Sequence, residues 1–212
     1  MDQITALPDA LDFEALASTP LAREPFDHVI VPGFVKKAAL PAIHQAYPDT
    51  GGPGSFPYQA LDIDPVFGGV IDALQGPDMR AAVERVFGLD LAGRPTTVTV
   101  RGECRERDGK IHPDSAEKII TVLIYMNPPW EESGGRLRLL RSADNIDDYA
   151  VEVPPDEGTL LAFRRSDTSF HGHKPFSGQR RAIQLNWVTD LKYANRERRR
   201  HALSAFFKRL TG

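Results

Sequence analysis

The chain has one cysteine, no long apolar run and little net charge, and each of these shortages excludes a structural feature or a class of partner. Cys104 is the only cysteine among 212 residues, so an internal disulfide is excluded and a reducing compartment is favoured. The longest apolar runs, such as residues 119–126, are far too short to span a bilayer. A net charge of -3 provides no general attraction to nucleic acid. We therefore expect neither a membrane nor a nucleic acid as a partner.

The N-terminal residues also lack a basic segment followed by an apolar run, which is the pattern of a secretory signal. This predicts a cytoplasmic protein. With 41% hydrophobic and 26% charged residues, the composition is that of an ordinary globular protein, and the length suffices for one domain with a full core. We expect a single domain over residues 1–212.

The first 94 residues mix helical and extended patterns. Apolar residues at helical spacing predict helices at residues 36–47 and 77–87, and a short helix is expected within residues 1–22. Residues 28–31 predict a strand, and the stretch 48–57, rich in proline and glycine, predicts a loop. We expect this region to support a β core.

From residue 95 the pattern changes to short strands separated by turn residues. Strands are predicted at residues 96–100, 118–126, 136–140, 150–153, 159–163 and 180–188. Many short strands at this spacing predict a sandwich or barrel, so the fold class is mainly β with flanking helices. Residues 95–190 would form the core and residues 191–212 a C-terminal helix.

The first chemical signal is the tripeptide from His112 to Asp114. Residues i and i+2 of an extended chain point to the same side, so both side chains can face one point. Two histidines and one carboxylate suit a non-haem Fe(II) centre, and His171 is the candidate third ligand. His173 has the same parity as His171 and stays an alternative. A simpler alternative is that Asp114 only fixes a histidine tautomer or caps a turn.

An ordered series of short motifs follows this tripeptide. They include a Tyr-Met-Asn segment at 125–127, a Gly-Gly pair at 134–135, an acidic turn with a strand at 154–163, and then His171, Pro175, Gly178, Arg180 and Ile183. With these motifs, residues 96–190 resemble the Fe(II)- and 2-oxoglutarate-dependent dioxygenase superfamily, most closely its prolyl 4-hydroxylase-like branch.

The resemblance implies a fold and a set of site residues. The core would be a double-stranded β-helix, the cupin-like jelly roll. His112, Asp114 and His171 would hold Fe(II), and the spacing to the later arginine favours His171 over His173. Arg180, nine residues after His171, would pair with the distal carboxylate of 2-oxoglutarate, since its planar fork suits a carboxylate. Tyr125 would add a hydroxyl to that carboxylate, the alternative being a half-buried strand aromatic.

The resemblance also implies a reaction. It would be hydroxylation of a peptidyl proline, an amino acid or a small metabolite, using O2 and releasing succinate and CO2, with ascorbate as a candidate additional cofactor. Asp114 favours hydroxylation over halogenation, because related halogenases have a small residue in its place. Desaturation or ring closure would use the same chemistry. A cupin-like metalloenzyme that does not use 2-oxoglutarate and a non-catalytic jelly-roll binding module stay open as alternatives.

Two parts of the chain depart from the pattern of the relatives. Strand parity places Gln184 and Asn186 on the same side as Arg180, where prolyl hydroxylases often have an apolar residue. This indicates either a polar pocket or a hydrogen-bonded pair, and Arg181 would face the other side near solvent.

Arg101 stands roughly where relatives have a tyrosine that helps bind 2-oxoglutarate. The charged segment 101–110 is predicted to be a solvated hairpin, with a rim that selects an anionic substrate as the alternative.

The C-terminal residues 195–210 combine basic side chains with an apolar stripe at helical spacing. We expect the stripe to pack on the domain and the charges to be solvated. The alternative is a surface for an acidic partner or a membrane.

Overall fold

The computed structural model describes residues 9–196. Within them the elements follow in the order α1 (Phe13–Ser18), β1 (His28–Val31), α2 (Leu40–Gln45), β2 (Ser55–Pro57), a 3-10 turn (Tyr58–Ala60), α3 (Pro65–Leu74), α4 (Pro77–Phe87), β3 (Thr96–Cys104), β4 (Lys118–Tyr125), β5 (Leu137–Leu140), β6 (Tyr149–Val153), β7 (Leu160–Arg164), β8 (His171–Gly172) and β9 (Gly178–Val188).

The helices agree with the predictions in part. Helix α4 spans the predicted residues 77–87, and Gly88 ends it in the left-handed conformation that glycine adopts without strain. Helix α2 is shorter than residues 36–47, because residues 37–39 form turns before it begins. Helix α3 was not predicted. Its start signals are nevertheless present, since Asp64 accepts a hydrogen bond from the N–H of Val66.

The strands form two antiparallel sheets. The larger has the order β1-β7-β4-β9-β3-β2, and the smaller has the order β6-β5-β8. The seven predicted strands are present with small shifts at their ends, although β3 continues four residues further than predicted, to Cys104. Two strands were missed: β2 lies in the predicted loop 48–57, and β8 has only two residues.

The two faces of the larger sheet are both buried. On β4 and β9, alternate residues such as Val122, Ile124 and Leu185 pack against the helices. The intervening residues Tyr125 and Ala182 pack instead toward apolar residues of the smaller sheet, such as Leu139. The result is a layer of helices, a six-stranded sheet and a three-stranded sheet, with the jelly-roll core that the sequence predicted.

Tyr47 fastens the end of α2 to the larger sheet where β3 changes register. The shift lies between Arg101 and Glu103 in the pairing with β9. The buried Tyr47 hydroxyl lies 2.8 Å from the carbonyl oxygen of Arg101 and 3.1 Å from that of Ala182, so its single proton is shared between the two strands. This contact holds β3 and β9 together at the level of Arg101.

None of the helices described is long and apolar enough to cross a membrane. Residues 191–196 are helical, and Tyr193 and Ala194 pack against Val188. The rest of the helix predicted at 195–210 lies outside the described residues.

Replacing Tyr47 with phenylalanine should lower the free energy of unfolding by about 1–3 kcal/mol, because two buried carbonyl groups lose a donor. Urea denaturation measures the change. Tyr58→Phe is the matched control, since its half-buried ring also packs on the helix-side core, without a comparable hydrogen bond. Equal losses in the two variants would contradict the fastening role.

Candidate active site

The two histidines of the predicted triad are joined through their backbones. The N–H of each lies 3.1 Å from the carbonyl oxygen of the other, and the ring centroids are 4.5 Å apart. The segment of His112 thereby pairs with β8, which in turn pairs with β5. The smaller sheet thus gains a further extended segment, and both rings lie at its edge.

Backbone carbonyl groups also orient both rings. Nδ1 of His112 lies 2.8 Å from the carbonyl oxygen of Lys110, and Nδ1 of His171 lies 3.0 Å from that of Ser169. A carbonyl oxygen only accepts, so each Nδ1 carries the proton and each Nε2 keeps its lone pair free. This is the usual way in which proteins prepare histidines for a metal.

Asp114 is buried beside these rings and both of its oxygens are engaged. Oδ1 accepts from Lys118 Nζ at 2.7 Å, and Oδ2 accepts from Thr121 Oγ1 at 2.5 Å. Burial alone would raise the pKa of Asp114, but Lys118, His171 and the two hydrogen bonds together hold it below its usual range. The group is therefore a carboxylate at neutral pH.

His171 is neutral as well as oriented. Its pKa is lowered to about 4, chiefly by burial, with the nearby Asp114 acting in the opposite direction. Ligand atoms of His112, Asp114 and His171 all lie within 4.8 Å of one another. Two histidines and one carboxylate match the donor set of a divalent transition metal that keeps open positions for other ligands.

His173, the alternative ligand, lies apart from this cluster. Its Nδ1 lies 2.8 Å from the carbonyl oxygen of Lys174, and its ring covers Gly109, where an added Cβ would come within 2.4 Å of the ring. Strand β8 ends at Gly172, so the alternation that would have pointed His173 toward the metal does not continue. Its pKa is lowered to about 4 by burial and by Arg180.

An inner cavity of about 190 Å³ connects the triad with Arg180. Nε of Arg180 donates to the carbonyl oxygen of Gly135 at 2.7 Å, which fixes the direction of the guanidinium. The Nη2 of Arg180 and the hydroxyl of Tyr125 are buried without a hydrogen-bond partner in the described part of the protein. The guanidinium carbon lies 5.4 Å from the centre of the Tyr125 ring.

Unpartnered buried polar atoms are costly, and a buried cation without an anion is more so. Arg180 and Tyr125 therefore present an unfilled pair of donors beside the inner cavity. Burial raises the pKa of Tyr125, partly offset by Arg180, so its hydroxyl keeps the proton that it could donate. A carboxylate between these two side chains would satisfy both, and the residues fit 2-oxoglutarate in this respect.

Asn127 supports this arrangement and was given no role from the sequence. Its side-chain oxygen accepts from the N–H of Arg181 at 2.6 Å, and its amide nitrogen donates to the carbonyl oxygens of Pro155 and Arg181. The end of β4 is thereby tied to β9 next to Arg180. The predicted parity of β9 is observed, but Arg181 lies half-buried over the ring of Tyr47 rather than in solvent.

A chain of neutral polar side chains continues from Asp114. The Thr121 hydroxyl also lies 3.1 Å from Asn186 Oδ1, so its single proton is shared between Asp114 and Asn186. The same Asn186 oxygen accepts from Gln184 Nε2 at 3.1 Å. Asn186 Nδ2 donates to Thr97 Oγ1 at 3.1 Å. Of the two interpretations of Gln184 and Asn186, the hydrogen-bonded pair is therefore present, and both side chains also line a cavity.

The prediction that residues 101–110 form a solvated hairpin is wrong at its beginning. Arg101 belongs to β3, and its guanidinium bonds to Asp108 at 3.1 Å, Ser55 at 3.1 Å and the sulfur of Cys104 at 3.2 Å. Burial opposes ionisation of Asp108, but the Arg105 N–H and Arg101 lower the pKa of Asp108. Arg101 has the same strand parity as Thr97 and Thr99, so its side chain points toward the site instead of the solvent.

A second, outer cavity of about 640 Å³ adjoins the first. The side chains that line both are Ser55, Thr99, Arg101, His112, Asp114, Lys118 and Gln184. The outer cavity extends from them to Thr97, Asn186, Glu117, Tyr193 and Arg196. A molecule in the outer cavity therefore reaches the candidate metal ligands.

Residues 103–189 match the model of the family described as the 2OG-Fe(II) oxygenase superfamily, where 2OG is 2-oxoglutarate. The resemblance to this superfamily is confirmed. The matched segment contains the triad, Tyr125 and Arg180. No curated protein matches the sequence of this chain.

Solved structures of superfamily members have a similar fold. A Pseudomonas putida prolyl-4-hydroxylase is 16% identical, with a TM-score of 0.52 over 84% of this chain and 92% of its own. The 2OG complex of a viral collagen prolyl hydroxylase from Paramecium Bursaria Chlorella virus-1 is 15% identical, with a TM-score of 0.54 over 76% and 96%. HygX from Streptomyces hygroscopicus, with nickel and 2-oxoglutarate bound, is 10% identical, with a TM-score of 0.52 over 77% and 82%.

The assignment of metal ligands stays a prediction that binding measurements can test. His112→Ala and Asp114→Ala should each weaken Mn(II) binding by more than about 100-fold, because even the loss of a group that supports a ligand costs 10–100-fold. Calorimetric titration of Mn(II) measures the affinity. His173→Ala is the matched control and should bind Mn(II) much as the unaltered protein does. A greater loss in His173→Ala than in His171→Ala would contradict the assignment.

Proposed function

We propose that this protein is an Fe(II)- and 2-oxoglutarate-dependent dioxygenase that hydroxylates its substrate with release of succinate and CO2. His112, Asp114 and His171 would hold the iron, and Arg180 and Tyr125 would bind the distal carboxylate of 2-oxoglutarate. Iron bound there would supply the activation of O2 that couples decarboxylation of 2-oxoglutarate to oxidation of the substrate.

The observation that carries this proposal is the guanidinium of Arg180, which lines the cavity of the triad, has no anion among the described residues and lies next to the buried, unpartnered hydroxyl of Tyr125. A metal cluster alone would suit a cupin-like enzyme that does not use 2-oxoglutarate. A buried guanidinium without an anion, reached through the same cavity, favours a dicarboxylate cosubstrate that spans the metal and the arginine. The nickel and 2-oxoglutarate held by HygX and the 2OG complex of the viral hydroxylase support the same interpretation.

The side chains would divide the work between them. The carbonyl groups of Lys110 and Ser169 orient the two histidine rings through Nδ1, which would leave both Nε2 atoms to bind the metal. Arg180, held by Gly135, would fix the orientation of 2-oxoglutarate and so reduce the entropy lost in the reaction. Lys118 and Thr121 would position Asp114, whose carboxylate occupies the place that a halide would need. This is why hydroxylation is proposed rather than halogenation.

Succinate release tests the reaction. Protein supplied with Fe(II), ascorbate, O2 and 2-oxoglutarate should release succinate, slowly without substrate, and His171→Ala should not. Succinate can be measured by mass spectrometry of the reaction mixture. Metal binding without 2-oxoglutarate turnover would favour the cupin-like alternative, and binding of neither would favour a non-catalytic jelly-roll module.

Replacement of Arg180 by methionine should raise the KM for 2-oxoglutarate by at least about 30-fold, because truncating one partner of a buried charge pair costs roughly 2–5 kcal/mol. Arg181→Met is the matched control on the other side of β9 and should change the KM far less. Initial rates of succinate release against 2-oxoglutarate concentration give both values. If Arg181→Met had the larger effect, Arg180 would not be the anchor.

A further inference from the structure

We infer that the outer cavity binds a small, hydrophilic substrate that carries a carboxylate, and that Lys118 recognises this carboxylate. The inference rests on the proposed function and narrows its substrate from the wider set of peptides, amino acids and metabolites. Three properties of the cavity carry it: the polar groups on its wall, its distribution of charge and its size.

The wall of the outer cavity combines polar and apolar surface. Its neutral polar side chains are Thr97, Thr99, Gln184, Asn186, Ser55 and Ser115, and Pro57 and Val98 add apolar surface beside them. The hydrogen bonds of Asn186 are directed to its neighbours, so it supports the wall. The hydroxyl of Thr99 and the amide oxygen of Gln184 make no hydrogen bond within residues 9–196, and both side chains line the two cavities. They are therefore free to bind the polar groups of a substrate.

The polar groups of this wall are a poor fit for a prolyl ring. An apolar ring would displace water from hydroxyl and amide groups without replacing their hydrogen bonds, which is unfavourable. A molecule with hydroxyl, amino or amide groups would replace those bonds. The same polar groups therefore favour a hydrophilic substrate over the prolyl substrates of the structurally similar prolyl hydroxylases.

Three lysine and arginine side chains line the outer cavity, and two of them pair with a carboxylate that is not a predicted metal ligand. Arg101 is paired with Asp108 at 3.1 Å, and Arg196 with Glu117 at 2.9 Å. Among residues 9–196, Lys118 is paired only with Asp114, at 2.7 Å, and its side chain is 14% exposed. Asp114 is also a predicted metal ligand, so a dication would share its negative charge.

Lys118 would then be a cation near the metal with a partly neutralised partner. Its Nζ has three protons, and the hydrogen bond to Asp114 uses one of them. Arg180 and the metal would already bind the two carboxylates of 2-oxoglutarate. An additional carboxylate, from the substrate, would satisfy Lys118 at the boundary between the two cavities. The charge of this lysine would thereby orient the substrate relative to the metal.

The size of the cavity limits the substrate to a small molecule. A volume of about 640 Å³ lies within the range of roughly 300–1,000 Å³ that is usual for small-molecule sites. With the polar groups on the wall and the lysine, this size suits a free amino acid or a hydroxy acid better than an extended peptide.

Matched acids and amides test the inference. The unaltered protein, with Fe(II), 2-oxoglutarate and O2, is offered the common free L-amino acids and small hydroxy acids, the primary amide of each, and a proline-rich peptide. We expect at least one free acid to stimulate succinate release and to be hydroxylated, with a kcat/KM roughly tenfold or more above that of its amide, as the loss of a charge pair requires. Stimulation by the peptide or by amides as strongly as by acids, or by no acid, would overturn the inference.

Variants separate a role in recognition from a role in metal binding. Lys118→Met, assayed at saturating Fe(II), should bring the kcat/KM of the acid close to that of its amide. Gln184→Leu should raise the KM for both compounds. The matched control Lys37→Met lies at an exposed position before α2 and should keep the preference for the acid. An unchanged preference in Lys118→Met would overturn the role of this lysine.

Succinate release without substrate distinguishes a failure of the substrate inference from a failure of the proposed function. If the unaltered protein releases succinate slowly from 2-oxoglutarate alone but no free acid accelerates it, the substrate inference fails and the proposed function stands. If no succinate is released under any condition and 2-oxoglutarate does not bind, the proposed function fails and the substrate inference fails with it.

Discussion

The reciprocal backbone hydrogen bonds between His112 and His171 are the contact on which the rest of the site depends. They join two segments that lie far apart in the chain and place both imidazole rings at one sheet edge. The ring of His171 also packs 4.8 Å from that of Phe163, a residue of the larger sheet. Both sheets of the jelly roll therefore contribute to the position of one ligand, and packing of the core and geometry of the site cannot vary independently.

The pairing of charged groups is the second constraint on the site. The buried groups around the inner cavity form pairs with the exception of Arg180, for which the described residues supply no anion. A protein gains nothing in stability from a buried, unpaired guanidinium. The arginine is understandable as a binding group whose partner arrives with the cosubstrate. Lys118, at the boundary of the outer cavity, would also take its partner from a bound ligand, because the metal would compete with it for Asp114.

Much of the site could be predicted because its residues lie at characteristic spacings in the sequence. The tripeptide of His112 and Asp114, the nine-residue interval from His171 to Arg180 and the alternation along β9 are all visible in the sequence. Strands β4 and β7 were predicted for the same reason, since a strand buried on both faces is a continuous apolar run.

Other parts depend on contacts that local patterns do not contain. Helix α3 was missed because Gly68 and Gly69 weaken its helical pattern, and its apolar face is stabilised by packing in the core. Strand β8 has two residues and exists only through its neighbours. The roles of Lys118 and Arg101 were also out of reach, because the first depends on the approach of Asp114 and the second on the approach of Asp108 and Ser55. Both belong to the tertiary structure.

The central claim is that one cavity holds a metal and 2-oxoglutarate together, with the cosubstrate extending from the triad to Arg180. The most direct test is the absorption spectrum of the protein with Fe(II) under anaerobic conditions, recorded as 2-oxoglutarate is added. Chelation of iron by the keto acid should produce a visible charge-transfer band that saturates at one equivalent per site. The Arg180→Met variant should require far more 2-oxoglutarate to develop the same band. No band in the unaltered protein, or an equal affinity in the variant, would contradict the account.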